Sequence, residues 1–291
     1  MPTGGSRRTR RGPTRHHRGR RGRGRAVTAL AAGAVVVVAT PVTIWLLVHS
    51  SPMGPASCEV TSATPAGGAP TTYSLTVEQA RNAATITAVG IRMGLPDHAV
   101  TIGLAAALQE SKLRNLSYGD RDSLGLFQQR PSQGWGTAAQ IGDPVSASTA
   151  FYQRLRSVPG WEKLSVTAAA QRVQHSAAPR AYAQWEGEAR VAAAALTGET
   201  VAGLTCSGLD VSHPTGDLAD VAQAELGTRA LSGTHSTASG WAISSWLVAR
   251  AADLGVSRVS FDRRTWTAES GRWAKTGGAA GVLSLQRAAA D

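Results

Sequence analysis

Glu110 closes an apolar run and opens a polar one. Val100, Ile102, Leu104, Ala105, Ala107 and Leu108 precede it, and "SYGDRDSLGLFQQRPSQGWG" (117–136) follows. A carboxyl at the end of a buried helix pays a desolvation penalty in its charged form, so its pKa rises. The proton is then still available near neutral pH, as a general acid requires. Cleavage of a glycosidic bond needs such a proton on the leaving oxygen. The side chains of Tyr118, Ser123, Gln128, Gln129 and Trp135 are of types that hold sugar hydroxyls and acetamido groups. The competing reading is a solvated glutamate at a helix end. There an anion faces the helix C-terminus at a cost of about 0.3–1 kcal/mol.

The elements that must position Glu110 are mostly helical. Thr76-x-x-Gln79 has the form of a capping box and opens a helix with Val77, Ala80, Ala84 and Ala88 on its apolar positions. Gly94 ends it, and Pro96 prevents continuation. A second helix starts near Asp97, is apolar almost all round and is therefore expected to be buried. Gly119, Asp120, Asp122, Ser123 and Gly125 place loop and a short hairpin in residues 115–130. Helices are expected again at 144–157, 165–176 and 179–197, completing a mainly α domain over residues 76–206.

After Cys206 the pattern changes. Asp217 to Leu226 reads as a helix stopped by Gly227, and Trp241, Ser245, Val248, Ala249 and Ala252 line another, stopped by Gly255. "VSRVSF" (256–261) and "GVLSLQ" (281–286) read as strands. Residues 207–291 are thus expected to form a small α/β (α+β) domain. Trp241 and Trp246 are assigned to its core; for Trp266 and Trp273 both turn packing and exposed sugar stacking stay open.

The formal charge of +11 is a property of one tail: residues 1–25 hold ten arginines and no acid. Residues 59–205 carry 12 basic and 11 acidic groups, and residues 206–291 carry eight of each. The tail reads as disordered. "AVTALAAGAVVVVATPVTIWLLV" (26–48) has no charge, and as a helix would reach roughly 35 Å, enough to cross a bilayer. Arginines on its N-terminal side place that side in the cytoplasm. The expectation is a single-pass plasma-membrane protein with an uncleaved anchor, a flexible linker at 49–75 and its folded part extracytoplasmic. This disfavours nucleic acid as a partner, because only the tail remains in the cytoplasm. Cys58 and Cys206 are the only cysteines. Outside the cytoplasm they read as a disulfide, with two buried thiols as the alternative.

Glu110–Ser111, Asn115 and "SLGLFQ" (Ser123–Gln128) resemble the lytic transglycosylase signature, a Glu-Ser followed by Ser-x-Gly-Leu-Met-Gln. The resemblance implies a lysozyme-like fold and a peptidoglycan glycan strand as substrate, with no cofactor. It implies Glu110 as sole acid/base, with Ser123 and Gln128 shaping the cleft. The longer "DSLGLFQQRPSQGWG" and "AAAQRVQHSAAPRAYAQWE" (168–186) resemble actinobacterial single-pass membrane-anchored extracytoplasmic lysozyme-like proteins. That likeness covers roughly residues 58–206, both cysteines included. Phe127 stands where the signature has Met. "QRVQHS" replaces an Ala-Tyr-Asn-Ala-Gly-like segment, with Gln174 where an Asn is expected, and Tyr182 corresponds to a late tyrosine; on this resemblance Gln174 and Tyr182 join Tyr118, Ser123, Gln128 and Gln129 as the expected substrate-binding residues. "GWAISSWLVARAADLGVSRVSFDRRTW" (240–266) resembles a small C-terminal domain of actinobacterial secreted proteins. The metal-site motif of related members is replaced here by "AELGTRALSGTHSTASG".

Asp120 and Asp122 are candidates for a second carboxylate, as nucleophile or base. The favoured reading has them bonding backbone amides in an Asx-type turn, or pairing with Arg121 or Arg130. The seven histidines show no His-x-x-x-His spacing and no Cys-x-x-Cys is present, so no metal site is expected. Two functions remain. One is a peptidoglycan-cleaving enzyme tethered outside the plasma membrane. The other is a non-catalytic lysozyme-fold module that binds glycan or a partner in a cell-wall or secretion complex.

Overall fold

The computed structural model describes residues 54–63, 68–176, 178 and 180–289. The Arg-rich tail and the expected anchor at 26–48 lie outside the described residues. Among the described residues, no helix is long and apolar enough to cross a membrane. What is described combines helices with two antiparallel sheets.

Part of the stretch expected to be linker is sheet. Strand β1 (Ser57–Thr61) pairs antiparallel with β2 (Thr72–Thr76) on one side and with β3 (Leu204–Ser207) on the other. Cys58, Val60 and Leu75 alternate with exposed residues, which is enough to bury one face. The Pro/Gly/Ser-rich composition of 49–75 masks this short alternation. Cys58 sits directly opposite Cys206 in the β1/β3 register and is disulfide-bonded to it, with the Cα atoms 4.0 Å apart.

Helix α1 (Val77–Arg92) opens with the expected capping box: Thr76 accepts from Gln79 N, and Gln79 reciprocates on Thr76 N. Helix α2 (Asp97–Ser111) is buried from Ala99 through Leu108. The short α3 (Ala138–Gly142) packs on α4 (Pro144–Ser157), and α4, α5 (Val166–Gln174) and α6 (Glu186–Leu196) stand with α1 around α2. The helix expected over 179–197 is regular only from Glu186, because Ala181–Trp185 is a 3₁₀ turn. That tighter winding aligns side chains three apart. Tyr182 and Trp185 both reach α2 from it, bonding Glu110 and Gln109.

Beyond β3 come α7 (Leu218–Leu226), β4 (Gly233–Thr234), α8 (Thr237–Ala249) and α9 (Ala251–Leu254). Then follow β5 (Val256–Phe261), β6 (Arg264–Thr267), β7 (Arg272–Lys275) and β8 (Val282–Arg287). The sheet order is β4-β8-β5-β6-β7, antiparallel throughout. The β5–β6 hairpin turns on Asp262 and Arg263, both at positive φ (47° and 63°), as a two-residue type I′ turn demands. Neither residue is the usual Asn-Gly signal, so the sequence reading passes over β6 and β7. Helix α8 is buried on all sides between α1, α6 and the sheet. Gly240 lies so close to the Phe261 ring that a Cβ there would fall 2.0 Å from it.

The division expected at residue 206 is a continuous packed region. Met53–Asp291 forms one compact unit. Trp266 is fully buried and donates from Nε1 to the Cys206 carbonyl (3.2 Å), and half-buried Trp273 donates to the Leu204 carbonyl (2.8 Å). Both therefore take the packing role, and Trp241 and Trp246 lie in the core. Ser245 donates to Ala195 O on α6. A buried polar network adds to this: Glu225 accepts from Thr85 on α1, from Trp246 Nε1 (2.7 Å) and from Arg250, and Arg81 bonds Asp253. Burial lowers the Arg250 guanidinium to about 10.

Removing one partner of a buried ion pair leaves the other uncompensated, at roughly 3–5 kcal/mol. Glu225→Ala should therefore lower the urea unfolding free energy by about that amount, and both halves should unfold in one transition. A second midpoint for residues 207–291 would contradict the continuous packing. The disulfide closes a loop of 148 sequence steps. Its reduction should cost about 2–5 kcal/mol in the same assay.

Candidate functional site

Glu110 lies half-buried in the last turn of α2. The chain reverses immediately after it: Lys112 and Leu113 both take positive φ (56° and 57°). Each such non-glycine residue costs about 1–3 kcal/mol, so the surroundings must hold the turn. Helix α1 does so, because Gln79 Nε2 donates to Lys112 O (2.9 Å) and Asn82 Nδ2 to Leu113 O (2.7 Å). Leu113 is buried beneath them.

The loop after α2 is drawn back over its end. Ser111 Oγ donates to Leu126 O (2.7 Å), so the serine of the Glu-Ser pair anchors the loop. Phe127 is buried and stacks on Phe151 at 4.6 Å. The expected hairpin reduces to a single antiparallel bridge, Leu124 to Gln129. Gly125 has φ +74°, and a Cβ there would fall 2.5 Å from Ile141 O, so the tight approach needs glycine.

Two further elements close on Glu110. Tyr182, fully buried, donates from its hydroxyl to Glu110 Oε1 at 2.6 Å. Gln174, the last residue of α5, donates from Nε2 to Phe127 O (2.8 Å), which sets its amide near the glutamate. Burial raises the Glu110 pKa above its ordinary value of 4.5, while Tyr182, Gln174 and the nearby Lys112 cation oppose that rise. Burial and the adjacent carboxylate push the Tyr182 hydroxyl up, so it stays a donor.

The remaining expected residues divide. Gln128 takes φ +47° and turns its amide back onto Tyr118 O and Gly125 O. Gln129 is a correction to its expected place in the cleft: it is buried, with Nε2 bonded to Ala147 O, and holds the loop against α4. Ser123 is buried in the same loop, and Tyr118 is exposed. Asp122 accepts from the Ser132 backbone (2.8 Å), pairs with Arg130 (2.9 Å) and accepts from the Ser132 hydroxyl, and these hold its carboxyl well below the usual range. Asp120 is exposed, with Arg121 4.0 Å away. Neither bonds Glu110 or the residues that hold it. No cluster of three metal-ligating side chains occurs among the described residues.

Several neighbours were not legible beforehand. Gln109 Oε1 accepts from Trp185 Nε1 (2.8 Å) and Gln184 Nε2 (3.1 Å). Lys112 Nζ lies 3.9 Å from the Trp185 ring centroid. Its pKa is lowered by burial, against the influence of Glu188 and Glu110. The left-handed turn at Lys112 brings that cation to the site, and no spacing rule signals it.

Residues 180–282 match the family model described as VldE, C-terminal domain. The match begins inside the segment assigned to the helical part and takes in Tyr182, α6 and β3. No curated protein matches the chain.

Tyr182→Phe should raise the Glu110 pKa further, because it removes a donor to the charged form; ¹³C NMR of the carboxyl reads this directly. A raised carboxyl binds its proton more tightly folded than unfolded. Folding therefore loses stability as pH rises from the ordinary value through the folded one. Glu110→Gln removes that loss. Its melting temperature should exceed the native one at neutral pH and show no such advantage well below pH 4.5.

Proposed function

We propose that this chain is a peptidoglycan-cleaving, lytic-transglycosylase-like protein of lysozyme-like fold, with Glu110 as its general acid/base. The observation that carries the reading is a half-buried carboxyl at the end of a buried helix, held by the Tyr182 hydroxyl, where burial raises its pKa. The Glu-Ser and Ser-Leu-Gly-Leu-Phe-Gln segments that suggest the family are also the ones that meet around it. Residues 26–48 would anchor the protein in the plasma membrane, with the folded part outside.

Protonated Glu110 gives its proton to the glycosidic oxygen leaving the muramoyl anomeric carbon. The substrate's own acetamido oxygen attacks that carbon as the bond breaks. Glu110, now charged, then removes the proton of the muramoyl 6-hydroxyl. The freed oxygen displaces the acetamido group and closes a 1,6-anhydro ring. The commitment of Asp122 to Arg130 and Ser132 favours this route over one in which Asp122 is the second carboxylate. Tyr182, donating to the charged form, would steady Glu110 between the two proton transfers.

A second reading is a non-catalytic module that holds glycan or a partner in a cell-wall or secretion complex. It is favoured by the internal engagement of Gln128, Gln129 and Gln174, whose amides bond protein carbonyls.

Incubation of the oxidised full-length chain with sacculi separates the two, with products read by mass spectrometry. The expected products are anhydro-muropeptides, with Glu110→Gln slower by about 10²–10⁴-fold. Activity should fall as pH rises through the raised Glu110 pKa, since the acid must be protonated. Reducing ends would replace the proposed route by hydrolysis. Co-sedimentation of both proteins with sacculi, without release of fragments, would establish the second reading.

A further inference from the structure

A groove of about 700 Å³ lies along α4, away from the residues that hold Glu110. Arg92, Trp135, Gln140, Ser146, Gln153 and Arg154 line it. Its size suits a small ligand rather than a single ion. Trp135 was grouped at the sequence level with the Glu110 cleft; the structure places it here.

The electrostatics of this groove are one-sided. No acidic side chain lines it among the described residues. Arg81, Arg130, Arg190, Arg229 and Arg250 each meet a carboxylate within 4.0 Å, whereas other described arginines, among them Arg114, Arg156 and Arg172, do not. Arg92 and Arg154 have no such partner among the described residues. Arg92 is held by Ala224 O and Thr149 Oγ1. Arg154 lies 3.6 Å from the Trp135 ring centroid, and its Nη2 donates to Gln133 O (3.2 Å) and Gly134 O (3.1 Å). Those bonds fix the guanidinium plane, and its Nε and Nη1 donors meet no protein acceptor among the described residues. A partly buried cation without a counter-charge is costly, and burial accordingly lowers the Arg154 pKa.

The rest of the lining narrows the ligand class. The half-buried indole carries the Arg154 guanidinium over one face, and its uncovered part offers an apolar edge for a sugar ring beside that cation. The Gln140 and Gln153 amides and the Ser146 hydroxyl suit hydroxyl and acetamido groups. A plain inorganic anion would leave the indole and the amides unused. An acidic peptide would satisfy the arginines but needs no aromatic platform.

We propose that this groove is a binding site for a carboxylate-bearing saccharide, with Arg154 and Arg92 facing the carboxylate and the sugar ring against the part of Trp135 that Arg154 leaves uncovered. It shares the glycan class with the function proposed above and is independent of the chemistry of Glu110. A fixed guanidinium with free donors is suited to a planar carboxylate, which a lysine would grip less specifically.

Calorimetric titration of the full-length chain with N-acetylmuramic acid, and with N-acetylglucosamine, which lacks the lactyl carboxylate, tests this. The acid should bind with a dissociation constant on the order of 1 mM, and the neutral sugar at least about fivefold more weakly. Arg154→Gln and Trp135→Ala should each weaken binding of the acid by about tenfold. Should either fail to fold, Gln153→Glu at an exposed position brings a negative charge to the groove and should weaken it comparably. Glu110→Gln should bind like the native chain, so failure of cleavage and failure of this site are separately visible. Equal affinity for the two sugars, or native affinity in the variants, would overturn the assignment. Tighter binding of hexaglutamate than of the acidic sugar would overturn it in favour of an acidic protein partner.

Discussion

Helix α2 is enclosed on every side, and that enclosure organises the helical part of the molecule. Each of Val100, Ile102, Leu104 and Leu108 is almost wholly removed from water, worth about 1.5–3 kcal/mol apiece. A helix packed all round can admit a charged group only where it leaves the core. Glu110 stands at that exit, where the carboxyl is partly desolvated yet still reachable by donors. The strained turn at Lys112 and Leu113, the clamp from Gln79 and Asn82, and the loop tied by Ser111 all follow from bringing the chain off the end of this helix. The elevated carboxyl pKa is a consequence of the same burial.

The polar side chains of the 118–129 loop do two kinds of work, and their residue types do not separate the two. Gln128 turns its amide onto Tyr118 O and Gly125 O at the loop's surface, whereas Gln129 is sealed against α4. An amide is equally good at holding a sugar and at satisfying a buried carbonyl. Which one it does depends on the direction in which the loop presents it. The positive φ at Gln128 and the glycine-only approach at Gly125 set that direction.

The C-terminal sheet shares its core with the helical part. Helix α8 fills the space between α1, α6 and β5, and two indole N–H groups satisfy carbonyls of β3, the strand that carries Cys206. The disulfide ties β3 to β1, so the same strand receives a covalent link from one side and hydrogen bonds from the other. The family match beginning at residue 180 spans this junction. Any account of Glu110 must therefore include the C-terminal residues, because Tyr182 and α6 belong to both.

Much of this was legible in the sequence because it rests on local physics. The Thr76–Gln79 capping box, the Gly94–Pro96 stop, the buried character of α2 and the ends of α4 follow from backbone propensity, capping and hydrophobic period. The pairing of Cys58 with Cys206 and the involvement of Asp122 with Arg130 were also expected. Strands β1 and β2 were hidden because five-residue alternations drown in a Pro- and Gly-rich composition. β6 and β7 were hidden because Asp262 and Arg263 make their turn without the usual residues. Tertiary structure alone decided that Tyr182 meets Glu110, 72 positions away, that Lys112 turns towards the Trp185 ring, and that Gln129 faces inward. The reason is physical: a period or a cap is read within a few residues. Whether a polar group meets another side chain, a carbonyl or solvent is set by elements that come together only when the core closes.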